Sequence, residues 1–313
     1  MELKGTLLKE IIKHGYSKEN DSRIWNIGDR SFRYINKEMA LAFLKLRDHP
    51  RYKATITEIE IKLLQSHIQE FLKNIGDYEF NLIEMGCVDG TKAKIIINSL
   101  DKKTKFRYCP INVNEYLVRL TTENIKKESF PNILDYAPRI AKNFESLDQI
   151  GPALRNSKYQ KNVFLLLGSS IASFDINHYL FRLSQSMLPG DILIIGNGIR
   201  TGPRLANLET YQHHAFNDWL IHLMRELGFK DEEVEYNARF ENNRLETYYT
   251  IKTDKIIGHE KTQLELKKGD KIIVSFLYKY YDNELKDFCE MYFDKVEIVK
   301  DESNEYALIK CER

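Results

Sequence analysis

The stretch FNLIEMGCVDGTKAKIIINSL, residues 80–100, decides the fold. It opens as a short apolar run closed by Gly86 and, after Gly90, shifts to a pattern that reads as a helix. The unit is therefore strand, glycine-containing turn, helix. A turn without a Cβ lets a ligand lie against the backbone, and the helix that follows offers unpaired N–H groups at its start. The spacing of Gly86 to Gly90-Thr91-Lys92 is neither GxGxxG nor GxxxxGK[ST], so the loop alone names no ligand.

Working outward, the same alternation continues. KFRYCPINVN (105–114) reads as a second strand followed by a helix through residues 116–125, and NILDY (132–136) as a short third. NVFLLLGSS (162–170) and MLPGDILIIGNG (187–198) are buried strands with their turns. Continuous apolar strands separated by helices predict a parallel sheet covered on both faces. Upstream, residues 37–73 carry helical spacing broken at His49-Pro50, and the first 35 residues read as an ordered lid or wrap segment. Beyond Gly202 a helix over about 208–227 leads into a β-rich region, and the C-terminal segment reads helix, strand, turn, strand. The expected division is a helical lid segment over 1–74, a nucleotide-type α/β domain over 75–200, and a β-rich domain over 201–313 that returns elements to the sheet.

Composition narrows the class. The 313 residues carry 47 Lys+Arg against 46 Asp+Glu, a net charge of +1, which draws the chain toward neither nucleic acid nor an anionic membrane surface. Hydrophobic residues make up 42%, as expected of a globular protein, and no apolar run approaches the roughly 20 residues of a spanning helix. Charges interrupt the N-terminal stretch where a signal peptide is apolar, so a cytoplasmic location is expected. Cys87, Cys109, Cys289 and Cys311 are far apart with no CxxC pair, which gives neither a disulfide framework nor a structural zinc site. His213 and His214 are adjacent, and neighbours on a helix point to different faces, so no metal is expected.

In an open parallel sheet, ligands bind beyond the carboxyl ends of the strands. Four such ends stand out: Glu84-Met85-Gly86 with Gly90-Thr91-Lys92, Pro110-Ile111-Asn112, Leu134-Asp135-Tyr136, and Leu166-Leu167-Gly168-Ser169-Ser170-Ile171-Ala172-Ser173. In this combination the chain resembles the histidine-specific, S-adenosylmethionine-dependent methyltransferases of the ergothioneine pathway, collinearly from about Phe32 to the C-terminus. The family loop ELGSGTSEKT is similar to Glu84–Ala93, its PVDVS to Pro110–Asn114 and its FLGSTIGN to Leu166–Ser173. PGDILIIGNG, Tyr211 with Phe216-Asn217, Arg244-Leu245-Glu246 followed by Thr247, and Gly269-Asp270 with Lys279-Tyr280 continue the match in order.

The resemblance implies an α/β fold, a Rossmann-like class I methyltransferase domain with a second, β-rich α+β substrate domain. It implies S-adenosylmethionine as cofactor and a small-molecule amine or amino acid as substrate. Carried over residue by residue, Gly86, Gly90 and Lys92 fall at the methionine end of the cofactor, Asn112 at the ribose, and Asp135 with Tyr136 at the adenine, with Glu84 and Gly168 also on cofactor-binding positions. Tyr34, Tyr52, Ser173, Tyr211, Thr247 and Ser275 fall on substrate positions, with Tyr211, Tyr34 and Ser173 as the catalytic candidates.

The substrate positions also depart from the family pattern. Ser173 replaces the asparagine that holds the α-amino group, Ser275 and Leu277 replace the glutamate and serine that bind the imidazole, and EYYPTRAE becomes Arg51–Glu58 with one tyrosine, Tyr52. A site built to hydrogen-bond a ring loses its discrimination when those partners change, which points away from histidine. Methyl transfer is an in-line displacement, so the enzyme must chiefly hold a neutral nucleophile in line with the methyl group. The reading is thus an N-methyltransferase of an amino acid or related small amine. The alternatives are an inactive binding or regulatory protein on the same fold, and a histidine Nα-methyltransferase.

Overall fold

The computed structural model describes residues 3–27, 29–73, 75 and 78–313. Contacts divide the chain into two units, the first made of Met1–His49 and Leu205–Tyr278, the second of Pro50–Arg204 and Lys279–Arg313. Among the described residues no helix is long and apolar enough to cross a membrane.

The second unit is built on one sheet, in the order Lys295–Lys300, Tyr306–Glu312, Ile192–Gly198, Lys161–Leu166, Phe80–Met85, Phe106–Asn112, Ile133–Tyr136, with Arg139–Ile140 paired to the end of Phe106–Asn112. Six of these strands run parallel, with Leu82 opposite Tyr108 on one side and Val163 on the other. Tyr306–Glu312 then pairs antiparallel to Ile192–Gly198 and to Lys295–Lys300. The chain leaves Phe80–Met85 toward one edge and returns at Lys161–Leu166 toward the other, so the switch point where α/β sheets bind ligands lies beside the glycine turn at Gly86. The expected Rossmann-like α/β core is present.

Helix Glu58–Leu72 belongs to this unit because its apolar stripe, Leu63, Leu64, Ile68, Phe71 and Leu72, shares one core with Leu82, Ile96, Phe106, Ile194 and Leu308. The boundary expected after residue 74 therefore falls at His49-Pro50, where a proline stops the preceding helix Lys37–Asp48. Residues 279–313, expected as return elements from the β-rich domain to the sheet, are counted with the second unit, whose sheet takes in Lys295–Lys300 and Tyr306–Glu312.

In the first unit the sheet runs Tyr16–Glu19, Ser22–Asn26, Lys271–Tyr278, Arg244–Ile251, Val234–Glu241, beside a separate hairpin of Lys255–His259 and Thr262–Leu266. The N-terminal segment, expected as a lid or wrap, is instead helix Leu3–His14 followed by a hairpin. Leu7, Leu8 and Ile11 stand at helical spacing and are fully buried, which overrides the polarity of the surrounding residues. Helix Leu3–His14 approaches the hairpin of Lys255–His259 and Thr262–Leu266 so closely that a Cβ on Gly5 would meet the His259 ring.

If this helix is core and not a loose lid, Leu8→Ala lowers the unfolding free energy by about 2–5 kcal/mol in a urea titration. An unchanged midpoint and slope would return the segment to the role of a lid.

Candidate active site

At the switch point the backbone is held by its neighbours. The N–H groups of Gly86 and Cys87 both donate to the Ile111 carbonyl, at 2.8 and 3.0 Å. Gly86 has φ +80°, a conformation that a side chain strains, and its missing Cβ faces Phe144 and Ser170. Gly90, also left-handed, caps helix Thr91–Ser99, and Asp89 accepts from the Thr91 N–H at 3.0 Å. The helix N-terminus is thus set beside the glycine turn, as an anionic group requires.

Asn112, expected at the ribose, joins the two strand ends. Its amide nitrogen donates to the Cys87 carbonyl at 2.6 Å and its oxygen accepts from the Asn114 N–H at 3.0 Å, so the side chain ties the second strand end to the glycine loop. Glu84 is buried and accepts from the hydroxyl of Tyr108, itself fully buried, and burial with the adjacent Glu84 charge pushes the Tyr108 phenol well up. Asp135 is exposed, with one oxygen accepting from the Tyr136 N–H at 2.8 Å. The Tyr136 ring is half-buried, edge-on to Tyr108 and 5.0 Å from the Lys126 ammonium.

The fourth strand end rests on a residue that the sequence reading did not single out. Glu60, on helix Glu58–Leu72, is 1% exposed. One carboxylate oxygen accepts from the Gly168 N–H and from the Tyr306 hydroxyl, both at 2.7 Å, and the other pairs with Lys92. The ammonium of Lys92, expected at the methionine end of the cofactor, is held on Glu60, 3.3 Å from where a Cβ of Gly168 would lie. Gly196 permits the approach, since a Cβ there would fall 2.1 Å from the Glu60 carboxylate. Gly168 and Ser169 are consecutive left-handed residues, and the Ser169 hydroxyl accepts from the Gly198 N–H at 2.9 Å. Ser173 is buried in the single turn Ile171–Ser173 that follows. Lys279 is also 2% exposed, its ammonium 2.8 Å from where a Cβ of Gly198 would lie, and burial pushes its pKa down to about 8 against the pull of Glu305.

The substrate candidates divide by unit. Tyr52 and Ser173 lie in the second, Tyr52 in the short turn Pro50–Tyr52 ahead of a π-helical stretch Lys53–Thr57. Tyr34, Tyr211, Thr247 and Ser275 lie in the first. There Thr247 is opposite Ser275 in the register, at a bulge, and its hydroxyl donates to the Ser275 carbonyl at 3.4 Å. The Ser275 hydroxyl accepts from the buried guanidinium of Arg33, a residue absent from the sequence-derived set. Arg33 precedes Tyr34 in the turn Arg30–Tyr34, and both pack on Trp219, with the Tyr34 ring 5.6 Å away and the Arg33 guanidinium 5.9 Å away. Phe216 continues the aromatic cluster to Tyr211, whose ring is 5.0 Å from it. Burial raises the Tyr211 phenol above its usual range, so the hydroxyl stays protonated.

Glu60 left a trace in the sequence: it stands three and four residues before Leu63 and Leu64, an acid on the apolar stripe of its helix. Arg33 left none, because its partner Ser275 is distant in the chain.

In comparisons with known proteins, the family described as "Histidine-specific methyltransferase, SAM-dependent" matches residues 41–313. No curated protein matches the chain. Among solved structures, a S-adenosylmethionine-dependent methyltransferase from Clostridium acetobutylicum is similar at 10% identity and TM-score 0.46, covering 86% of this chain and 97% of that one. The CcbJ methyltransferase from Streptomyces caelestis is similar at 14% identity and TM-score 0.41, covering 80% and 95%.

Gly86→Val adds a branched side chain where φ is positive, and Asp135→Ala removes the carboxylate at the third strand end. Each is expected to weaken S-adenosylmethionine binding by roughly tenfold or more in a calorimetric titration. Unchanged affinity in both would place the cofactor elsewhere.

Proposed function

The chain belongs to the histidine-specific, SAM-dependent methyltransferase family, and from this premise we propose that it methylates the nitrogen of an amino acid or related small amine other than histidine. The observation that carries the choice of acceptor is the Arg33–Ser275 hydrogen bond. At the position where the family resemblance puts an imidazole-binding glutamate, the Ser275 oxygen is engaged by a guanidinium, which donates hydrogen bonds and never accepts them. An imidazole N–H finds a poorer acceptor there than a carboxylate, whereas a carboxylate or other anionic group on the substrate suits Arg33.

The residues suited to hold the cofactor are the left-handed turn at Gly86 and the start of helix Thr91–Ser99, for its amino-acid end, and Asp135 with Tyr136, for its adenine. When bound, the sulfonium supplies an electrophilic methyl group. The protein's share is orientation, and a nucleophilic amine must reach it uncharged. Tyr211, kept protonated by burial, orients the acceptor by hydrogen bonding and does not serve as the base. Tyr34 stands on the same aromatic cluster, beside Arg33.

Transfer of a tritiated methyl group to a panel of amino acids, amines and short peptides tests the reading. A non-histidine amine is expected to show kcat/KM roughly tenfold or more above that of histidine. Histidine as the best acceptor would overturn it. With the acceptor found, Tyr211→Phe is expected to lower kcat by roughly tenfold without moving the pH profile. A shifted profile would make the phenol a titrating base.

A further inference from the structure

The first unit carries a second constellation, outside the residues assigned to methyl transfer. Helix Lys37–Asp48 ends at His49, and His213 caps helix His214–Glu226; both residues have extended backbones, with ψ 130° and 142°. The expectation that His213 and His214 project from different faces of one helix fails here, because His213 lies before the helix begins. The two helix ends bring three imidazoles together. His49, His213 and His214 each offer a ring nitrogen within 4.8 Å of the other two, and the ring centroids are 4.6 Å apart for His49–His213 and 4.1 Å for His213–His214.

We propose that His49, His213 and His214 bind one divalent transition-metal cation of the zinc class. Three nitrogens around a tetrahedral zinc lie about 3.4 Å apart, for metal–nitrogen bonds of roughly 2.05 Å. Binding would require side-chain rotations that draw the ring nitrogens, now within 4.8 Å of one another, to that spacing. Imidazole is a ligand suited to zinc, copper and nickel, and the absence of an oxygen-rich cage argues against calcium or magnesium. The outer contacts fit as well. Nδ1 of His214 lies 3.5 Å from the Asp218 carboxylate one turn along the helix, which would orient the ring with Nε2 toward the metal. Nδ1 of His213 accepts from the Ala215 N–H at 3.3 Å. Metal on Nε2 of His213 moves the ring proton to Nδ1, so binding exchanges this long cap bond for coordination. His214 is exposed and leaves the fourth position open to water.

Such a cation would fasten the end of helix Lys37–Asp48 to the start of His214–Glu226, three residues beyond Tyr211. It needs no part in the chemistry.

The test is titration of the full chain, prepared without a histidine tag, with Zn²⁺ alone against a competing chromophoric indicator, followed by the Co²⁺ absorption spectrum. The proposal expects one saturable equivalent, tetrahedral d–d bands with Co²⁺, and a melting temperature raised by Zn²⁺. His49→Ala and His214→Ala are each expected to weaken binding at least tenfold, while His178→Ala, an exposed histidine on another helix, leaves it unchanged. His213→Ala also removes the helix cap, so the other two variants carry the comparison, with circular dichroism confirming that they fold. No saturable equivalent in the wild-type protein, or affinity indifferent to both variants, overturns the site.

Discussion

The geometry of the cofactor face depends on one buried carboxylate. Removing a carboxylate from water costs several kcal/mol, and that cost is offset only where hydrogen bonds and an opposite charge surround it. Glu60 meets both conditions with the Gly168 N–H, the Tyr306 hydroxyl and the Lys92 ammonium. These four groups come from a helix ahead of the sheet, the turn of the fourth strand, the last strand and the helix after the glycine loop. Their joint satisfaction fixes where the loops at the strand ends can lie. It also gives Lys92 its place: a lysine following the glycine turn reads as a ligand for an anionic group, yet here it neutralises an internal acid. Asn112 acts in the same way on the neighbouring strand, holding the Cys87 carbonyl. Residues that the family pattern assigns to the cofactor thus shape the backbone proposed to receive it.

Much of the sheet was legible in the sequence because parallel strands buried on both faces are continuous apolar runs. FNLIEM, FRYCPIN and ILIIGNG stand out without any alignment, and glycines mark where the first and last of these stop. The N-terminal helix was hidden because Leu7, Leu8 and Ile11 are set among lysines and a glutamate, and local polarity outweighed three buried side chains. The domain boundary at His49-Pro50 was visible as a helix break but not as a change of partner, since only the packed core shows which unit a helix joins. Arg33 with Ser275, and His49 with the His213-His214 pair, are contacts across long stretches of chain, and no spacing rule reaches them.

The two units express function differently. In the second, the backbone does most of the work, with positive-φ glycines, a helix N-terminus and strand ends whose N–H groups are already organised. A cofactor bound mainly by backbone tolerates side-chain change, which is consistent with a recognisable loop that lacks the common glycine spacing. In the first, side chains decide: Arg33 on Ser275, Thr247 across the bulge, and two tyrosines on an aromatic cluster around Trp219. A buried guanidinium is costly to rearrange, so, if the proposed substrate site is correct, this cluster selects by charge and hydrogen-bond polarity more than by shape. On the proposed reading, exchange of the family's imidazole-binding residues changes the acceptor while leaving the methyl-transfer chemistry in place.

The most direct test of the carboxylate's role is the calorimetric affinity of Glu60→Gln for S-adenosylmethionine, measured on protein shown to be folded. The amide keeps an acceptor for the Gly168 N–H but leaves Lys92 without its counter-charge. If Glu60 organises the strand ends, cofactor affinity falls by roughly tenfold or more even where the fold survives. Wild-type affinity in a folded Glu60→Gln protein would show that the cofactor face forms without it.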